Sequence, residues 1–155
     1  GVLSHPAAVM APPTSDDRVL LLRLDPAPTP RDDPCLRHKT TARAAYDAAR
    51  ERAAVGGEIF DVLMHNELGQ VTETSITNVG LEAAGGGWIT PPLSCGLLGG
   101  VMRAELISRG VLREEAITVA DLREALGAGR RLCCFNSVRG ALAVTLEEVG
   151  GRVGG

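Results

Sequence analysis

Short apolar runs, cut apart by glycine and turn residues, fill the chain from Glu58 onward. EIFDVLMH (58–65) leads into the turn signal NELG (66–69), and 70–74 reads as the return strand of a hairpin. Residues 76–81 continue extended, 85–87 turn, and 88–90 form another short extended piece. GLLGG (96–100) opens a helix over VMRAELISR (101–109), which Gly110 ends. Residues 111–118 read as a strand, VADLREAL (119–126) as a short helix with Asp121 near its start, and 131–136 and 142–149 as the last two strands. Upstream, RVLLLRLD (18–25) is strand-like. In TTARAAYDAARERAA (40–54), Ala44, Ala45, Ala48 and Ala49 fall at helical spacing before Gly56-Gly57. The pattern predicts an α+β domain of many short strands and about three helices.

Composition sets the outer bounds. A chain of 155 residues with 45% hydrophobic content suits one globular domain. Four aromatics (Tyr46, Phe60, Trp88, Phe135) leave the core to Leu, Val, Ile and Ala. Seven of the nine prolines fall within residues 6–34. The expected organisation is a proline-rich lead-in with one short strand over 1–34, then the functional domain over 35–150. A net charge of −3 argues against a nucleic-acid or anionic-membrane binder. No apolar run approaches the roughly 20 residues that span a bilayer. The first residues lack a basic, apolar secretory pattern, so the expected location is cytoplasmic. Cys35, Cys95, Cys133 and Cys134 form no CxxC pair, and the three histidines have no metal-ligand spacing. Reduced thiols and no metal site are expected.

Fifteen of the sixteen basic residues are arginine, and Lys39 is the only lysine. Arginine cannot stand in for lysine as a covalent amine, because its guanidinium stays protonated. A lone lysine at a strand-to-helix junction therefore points to amine chemistry, although the count fits a leftover surface residue as well. Glu73, in VTETSITNV, lies in an extended segment. Pointing inward it would need a partner such as a protonated ring nitrogen; pointing outward it is an ordinary strand residue. Asn78 faces the other side of an uninterrupted strand from Glu73, unless a bulge near Ser75 intervenes. The glycines of CGLLGGVMR (95–103) suit a close ligand approach and an anion at the helix start, or simply a tight turn. In FNSVRG (135–140), Asn136 and Ser137 end a buried strand, aimed at a site or merely turning.

Taken together, HKTTARAAYDAAR, NELGQVTETSITNV, TPPLSCGLLGGVMR and the late Asn-Ser turn resemble the fold-type IV pyridoxal-phosphate enzymes over roughly 36–140. That family includes branched-chain and D-amino-acid aminotransferases and 4-amino-4-deoxychorismate lyase. The wording is most similar to the lyase-type domain fused behind aminodeoxychorismate synthase component I. The resemblance implies the family's large C-terminal domain, a strand-rich pseudo-barrel with flanking helices. It implies pyridoxal 5'-phosphate held by Lys39 as a Schiff base, with Glu73 on the pyridine nitrogen and Leu98 against one ring face. Val101 and Met102 would bind the phosphate through their amides, and Ser137 and Val138 would supply a second phosphate turn. Asn78 would support the strand that carries Glu73.

The sequence departs from the family pattern in places. The family's small N-terminal domain, with its phosphate-binding arginine, is expected to be missing from these 155 residues. Met102 stands where some relatives use a threonine hydroxyl, Ala44 where branched-chain aminotransferases have a tyrosine, and Gly99 where proline is frequent. The implied activity is conversion of 4-amino-4-deoxychorismate to 4-aminobenzoate and pyruvate, for folate synthesis. A D- or branched-chain amino-acid aminotransferase and a truncated non-catalytic domain are the alternatives. The expected partners are a small-molecule substrate, a second copy of the chain, and an aminodeoxychorismate synthase component fused to or paired with it.

Overall fold

The structure is a computed structural model that describes residues 18–33 and 42–147. Its strands are β1 (Leu20–Leu24), β2 (Ile59–His65), β3 (Val71–Thr74), β4 (Asn78–Glu82), β5 (Trp88–Thr90), β6 (Leu112–Glu114), β7 (Leu132–Asn136) and β8 (Gly140–Leu146). Its α-helices are α1 (Ala42–Arg52), α2 (Val101–Ser108) and α3 (Val119–Gly127). The eight strands form one sheet in the order β3-β2-β1-β8-β7-β4-β5-β6. β1 is parallel to both its neighbours, and β5 is parallel to β6; the other pairs are antiparallel. The strand that the sequence assigns to the lead-in thus lies between β2 and β8.

Chain connectivity forces this sheet to curl. β3 and β4 are five places apart in the order, roughly 24 Å on a flat sheet with strands about 4.8 Å apart. Only residues 75–77 join them, and the step from Thr74 to Asn78 spans at most about 14 Å. The far edges meet as a result. Val71 donates its N–H to the Ile117 carbonyl at 2.7 Å, and Val119 donates to Gly69 at 2.9 Å. The predicted pseudo-barrel is therefore a mixed sheet rolled until β3 touches the segment after β6.

The apolar alternation decides what each face packs against. Leu63 points into the central core with Leu22, Val71, Val79 and Leu122. Its neighbours Val62 and Met64 point the other way, onto Ala49 and Ala53 of α1. The alanine spacing lets α1 lie close against β2. α2 packs through Leu106 onto Leu112, Cys133 and Phe135. α3 begins with a capping box, Thr118 and Asp121 each accepting from the other's backbone N–H. Of the strand expected over 111–118, only Leu112–Glu114 pairs with β5; after Glu115 donates its N–H to the Thr90 carbonyl the chain leaves β5, and Ile117 turns back into the core. β8 starts earlier than expected, at Gly140, whose φ of 72° closes the tight turn from β7.

Two arginines fasten the end of α1. Arg52 forms a bidentate pair with Asp25 at 2.8 and 2.7 Å. Arg50 reaches Asp61 and the Ser75 hydroxyl, each at 3.0 Å. Both carboxylate side chains are wholly buried, so each needs its cation.

Candidate active site

Tyr46 and Arg50 are one turn apart on α1 and share a face, about 6 Å along the helix axis. That nearly matches the roughly 6.8 Å between alternate strand residues. Tyr46 accordingly meets Glu73 at the end of β3 while Arg50 meets Ser75 two residues on. The Tyr46 hydroxyl donates to Glu73 Oε2 at 2.9 Å, and the Leu98 N–H lies 3.4 Å from each carboxyl oxygen. Glu73 is 4% exposed. Burial pushes its carboxyl up to about 8, against the pull of the Tyr46 and Leu98 hydrogen bonds. Burial, and then the charge of Glu73, also raise the Tyr46 hydroxyl, which stays a donor.

β3 ends at Thr74 and the chain leaves the sheet. Thr77 N–H bonds the Thr74 hydroxyl at 2.9 Å, and Thr74 N–H bonds the Thr77 carbonyl at 3.0 Å. This three-residue excursion breaks the strand's parity, so Glu73 and Asn78 both face Leu98. Asn78 donates from Nδ2 to the Leu98 carbonyl at 2.9 Å and accepts the Gly100 N–H on Oδ1 at 3.2 Å. Its side chain holds the glycine loop, where the resemblance implied support for the Glu73 strand. A Cβ on Gly100 would lie 2.8 Å from Asn78 Oδ1, so the clamp needs glycine there.

The same clamp aims the start of α2. Gly100 is the N-cap, with no side-chain cap, and the Ala104 N–H to Gly100 carbonyl bond at 3.2 Å opens the helix. The amides of Val101 and Met102 therefore precede the first intrahelical bond and offer themselves to an anion. Val101 is 80% exposed, whereas the Met102 side chain packs inward beside Phe135. Arg103 is buried, tied to the Pro91 carbonyl at 3.0 Å and to Glu114 at 2.6 Å.

The Ser137–Val138 turn is tied to the 75–77 connection through Asn136. Asn136 fastens it, donating to the Ile76 carbonyl at 2.9 Å and accepting from Val138 N–H at 3.0 Å and Arg139 N–H at 2.7 Å. The Val138 amide is thus already engaged. Ser137 is exposed, without a partner among the described residues.

Lys39, with Arg37 and His38 beside it, lies outside the described residues. The rest of the predicted set comes together as two groups joined by residues 75–78: Glu73, Asn78 and Leu98 with Val101 and Met102 at the helix start, and Ser137 with Val138 in the turn that Asn136 ties to Ile76. Tyr46 is a site residue that the sequence motifs do not single out; the signal it carries is to be the only tyrosine, one turn before an arginine. Gly96 belongs to the segment whose glycines the sequence assigns to close ligand approach or a tight turn, and the structure gives it a second job. Its φ is 90°, and a Cβ there would lie 2.6 Å from Arg31 Cα. The segment after β1 is therefore pressed onto the glycine loop, just ahead of the stretch that carries Lys39.

A rolled mixed sheet, with a buried acid beneath a glycine loop that opens a helix, defines the class. Residues 4–146 match the amino-transferase class IV family, and the chain belongs to it. Among curated relatives, a Schizosaccharomyces pombe protein provisionally named aminodeoxychorismate lyase is 36% identical over 121 residues, 77% of this chain and 51% of that protein. The chain thus spans about half the length of this relative. Among solved structures, a Mesorhizobium loti protein provisionally named an amino-acid aminotransferase is 37% identical with a TM-score of 0.75, over 87% of this chain and 63% of that one. The PLP-bound form of a hypothetical aminotransferase of Mycobacterium tuberculosis is 25% identical with a TM-score of 0.62, over 84% of this chain and 48% of that one.

Proposed function

We propose that this chain is the cofactor-binding part of a pyridoxal 5'-phosphate-dependent lyase that converts 4-amino-4-deoxychorismate to 4-aminobenzoate and pyruvate. The observation that carries the reading is Glu73: a buried carboxyl, met among the described residues by neutral donors alone, that holds a proton to about pH 8. Such a group suits a partner with which it shares that proton, as a pyridine nitrogen does. The donor set fits the rest of the cofactor. The α2 amides of Val101 and Met102 suit its phosphate, and Leu98 gives an apolar contact beside the acid. When bound, the cofactor supplies a protonated ring that draws electrons from the carbon bearing the substrate's amino group.

Each residue then has a part. Lys39, the only lysine, holds the cofactor covalently and, once released, takes the proton from that carbon. Glu73 keeps the ring nitrogen protonated. Asn78 fixes Leu98 and Gly100, so the ring contact and the helix start are set by one side chain. Ser137, exposed in the turn that Asn136 holds through Val138, adds a phosphate contact in this reading. The choice of substrate rests on the Schizosaccharomyces pombe relative. The likeness to the Mesorhizobium loti protein favours a second reading, an amino-acid aminotransferase, on the same residues.

Pyridoxal phosphate followed by borohydride should leave one phosphopyridoxyl group on Lys39, located by peptide mass mapping. Label confined to the Gly1 amine would overturn the cofactor reading. With substrates, release of 4-aminobenzoate and pyruvate supports the lyase. Conversion of the cofactor to its pyridoxamine form by amino acids supports the aminotransferase instead.

A further inference from the structure

We infer that Tyr46 is the positioning residue for Glu73: its hydroxyl ties down Oε2 and leaves Oε1 as the oxygen that meets the cofactor's ring nitrogen. The assignment rests on the cofactor reading above and adds to it a residue from α1. Three observations carry it. First, the bond is within ordinary hydrogen-bond length and enclosed, at 2.9 Å to a carboxyl that is 4% exposed. Among the described residues Oε1 has only the 3.4 Å contact from Leu98 N–H. The two oxygens are therefore unequal before any ligand arrives.

Second, the donor cannot wander. Arg50, one turn after Tyr46, is held by Asp61 and Ser75, and Arg52 is held by Asp25. The Tyr46 ring packs against the Ala49, Val62 and Met64 cluster. A helix fastened at its end and a ring walled by apolar side chains fix the hydroxyl to within a hydrogen bond's tolerance.

Third, the groups facing Glu73 are Tyr46 from α1 and the Leu98 N–H from the glycine loop. Among the described residues no charged side chain bonds to it. A hydrogen-bond donor favours the carboxylate form, and the hydroxyl is much the closer of the two. Removing it would leave the acid harder to ionise and both oxygens free to rotate.

A tyrosine that only fastened α1 to β3 would behave differently, and the test separates the two roles. Dissociation constants are measured for pyridoxal 5'-phosphate and for its 1-deaza analogue, which carries C–H in place of the ring nitrogen. Tyr46→Phe should weaken the first about 10- to 100-fold, the loss typical of a hydrogen bond to a charged group, and leave the second nearly unchanged. Equal weakening of both, or of neither, overturns the assignment. Wild-type chain that fails to bind pyridoxal phosphate overturns the cofactor reading itself, and that is seen before any variant is made.

A second measurement needs no substitution. Tyr46 is the only tyrosine, so 3-fluorotyrosine labelling reports this hydroxyl alone. In unliganded protein its fluorine resonance should titrate with Glu73, at a midpoint near 8, and lose that transition in Glu73→Gln. A resonance with the same pH response in both proteins overturns the proposal.

Discussion

Replacing Glu73 with glutamine should stabilise the unliganded chain, and by an amount that grows with pH. An ordinary glutamate titrates near 4.5, and burial raises this one to about 8. Below 4.5 the group is protonated in both the folded and the unfolded chain, so it costs nothing. Between the two values the unfolded chain releases the proton and the folded chain keeps it. Stability therefore falls as pH rises through that window and levels off above about 8. Glutamine has the same shape, still accepts from Tyr46 and Leu98, and does not titrate. The stability difference between Glu73→Gln and wild type should widen by about 4 kcal/mol from pH 5 to pH 9. Urea unfolding of both proteins across that range measures it, and every other titrating group cancels in the difference. A constant offset would show that the site solvates the carboxylate and would refute the argument. In the loaded protein the same substitution should lower turnover on the order of 100-fold or more, several kcal/mol of transition-state stabilisation.

Two further perturbations test the frame around the site. Arg50→Ala leaves the wholly buried Asp61 carboxylate with the Ser75 hydroxyl and the Val62 amide on Oδ1 and nothing on Oδ2. It should cost about 3–5 kcal/mol; denaturant midpoints for the single variant and for Arg50→Ala with Asp61→Asn check this, the double variant recovering part of the loss. Gly96→Ala should destabilise more than Gly129→Ala: both have left-handed φ, 90° and 84°, but a Cβ at Gly96 strikes the Arg31 backbone while Gly129 faces open space. Backbone strain alone is of order 1 kcal/mol, so equal melting temperatures for the two variants would mean that the Arg31 contact yields freely.

The parts of the fold legible in the sequence are those that local chemistry decides. The NELG turn, the alanine face of α1, the Thr118–Asp121 cap and the glycine that ends α2 each specify their own stretch of chain. Closure of the sheet is different in kind. It depends on Val71 meeting Ile117 across the two far edges, and no window of sequence contains both. The strand expected over 111–118 failed for a related reason. Leu112 and Ile117 are both buried, but the strand between them stops at Glu114, and the residues after it turn the chain toward α3.

The candidate site was legible as a set of residues and not as an arrangement. Strand parity put Glu73 and Asn78 on opposite faces, and a bulge was the one escape. The excursion closed by Thr74 and Thr77 is that escape, and it lets two side chains of opposite parity grip the same loop residue, Leu98. The sharper discrimination comes from comparing buried carboxyls. Asp25 and Asp61 are as buried as Glu73, and each is matched by an arginine from α1. Glu73 lies alongside the same helix, in a chain with fifteen arginines, yet receives a tyrosine from it. Residue 46 is one turn before Arg50 and could have carried a guanidinium in the same way. An arginine there would stabilise the fold by pairing the charge, and it would hold the carboxylate permanently ionised and occupied. A neutral donor leaves the acid costly to ionise, with one oxygen still short of a partner. Among the described residues, that choice separates the two carboxyls that fasten the fold from the one that the proposed reading sets against a protonated ring nitrogen.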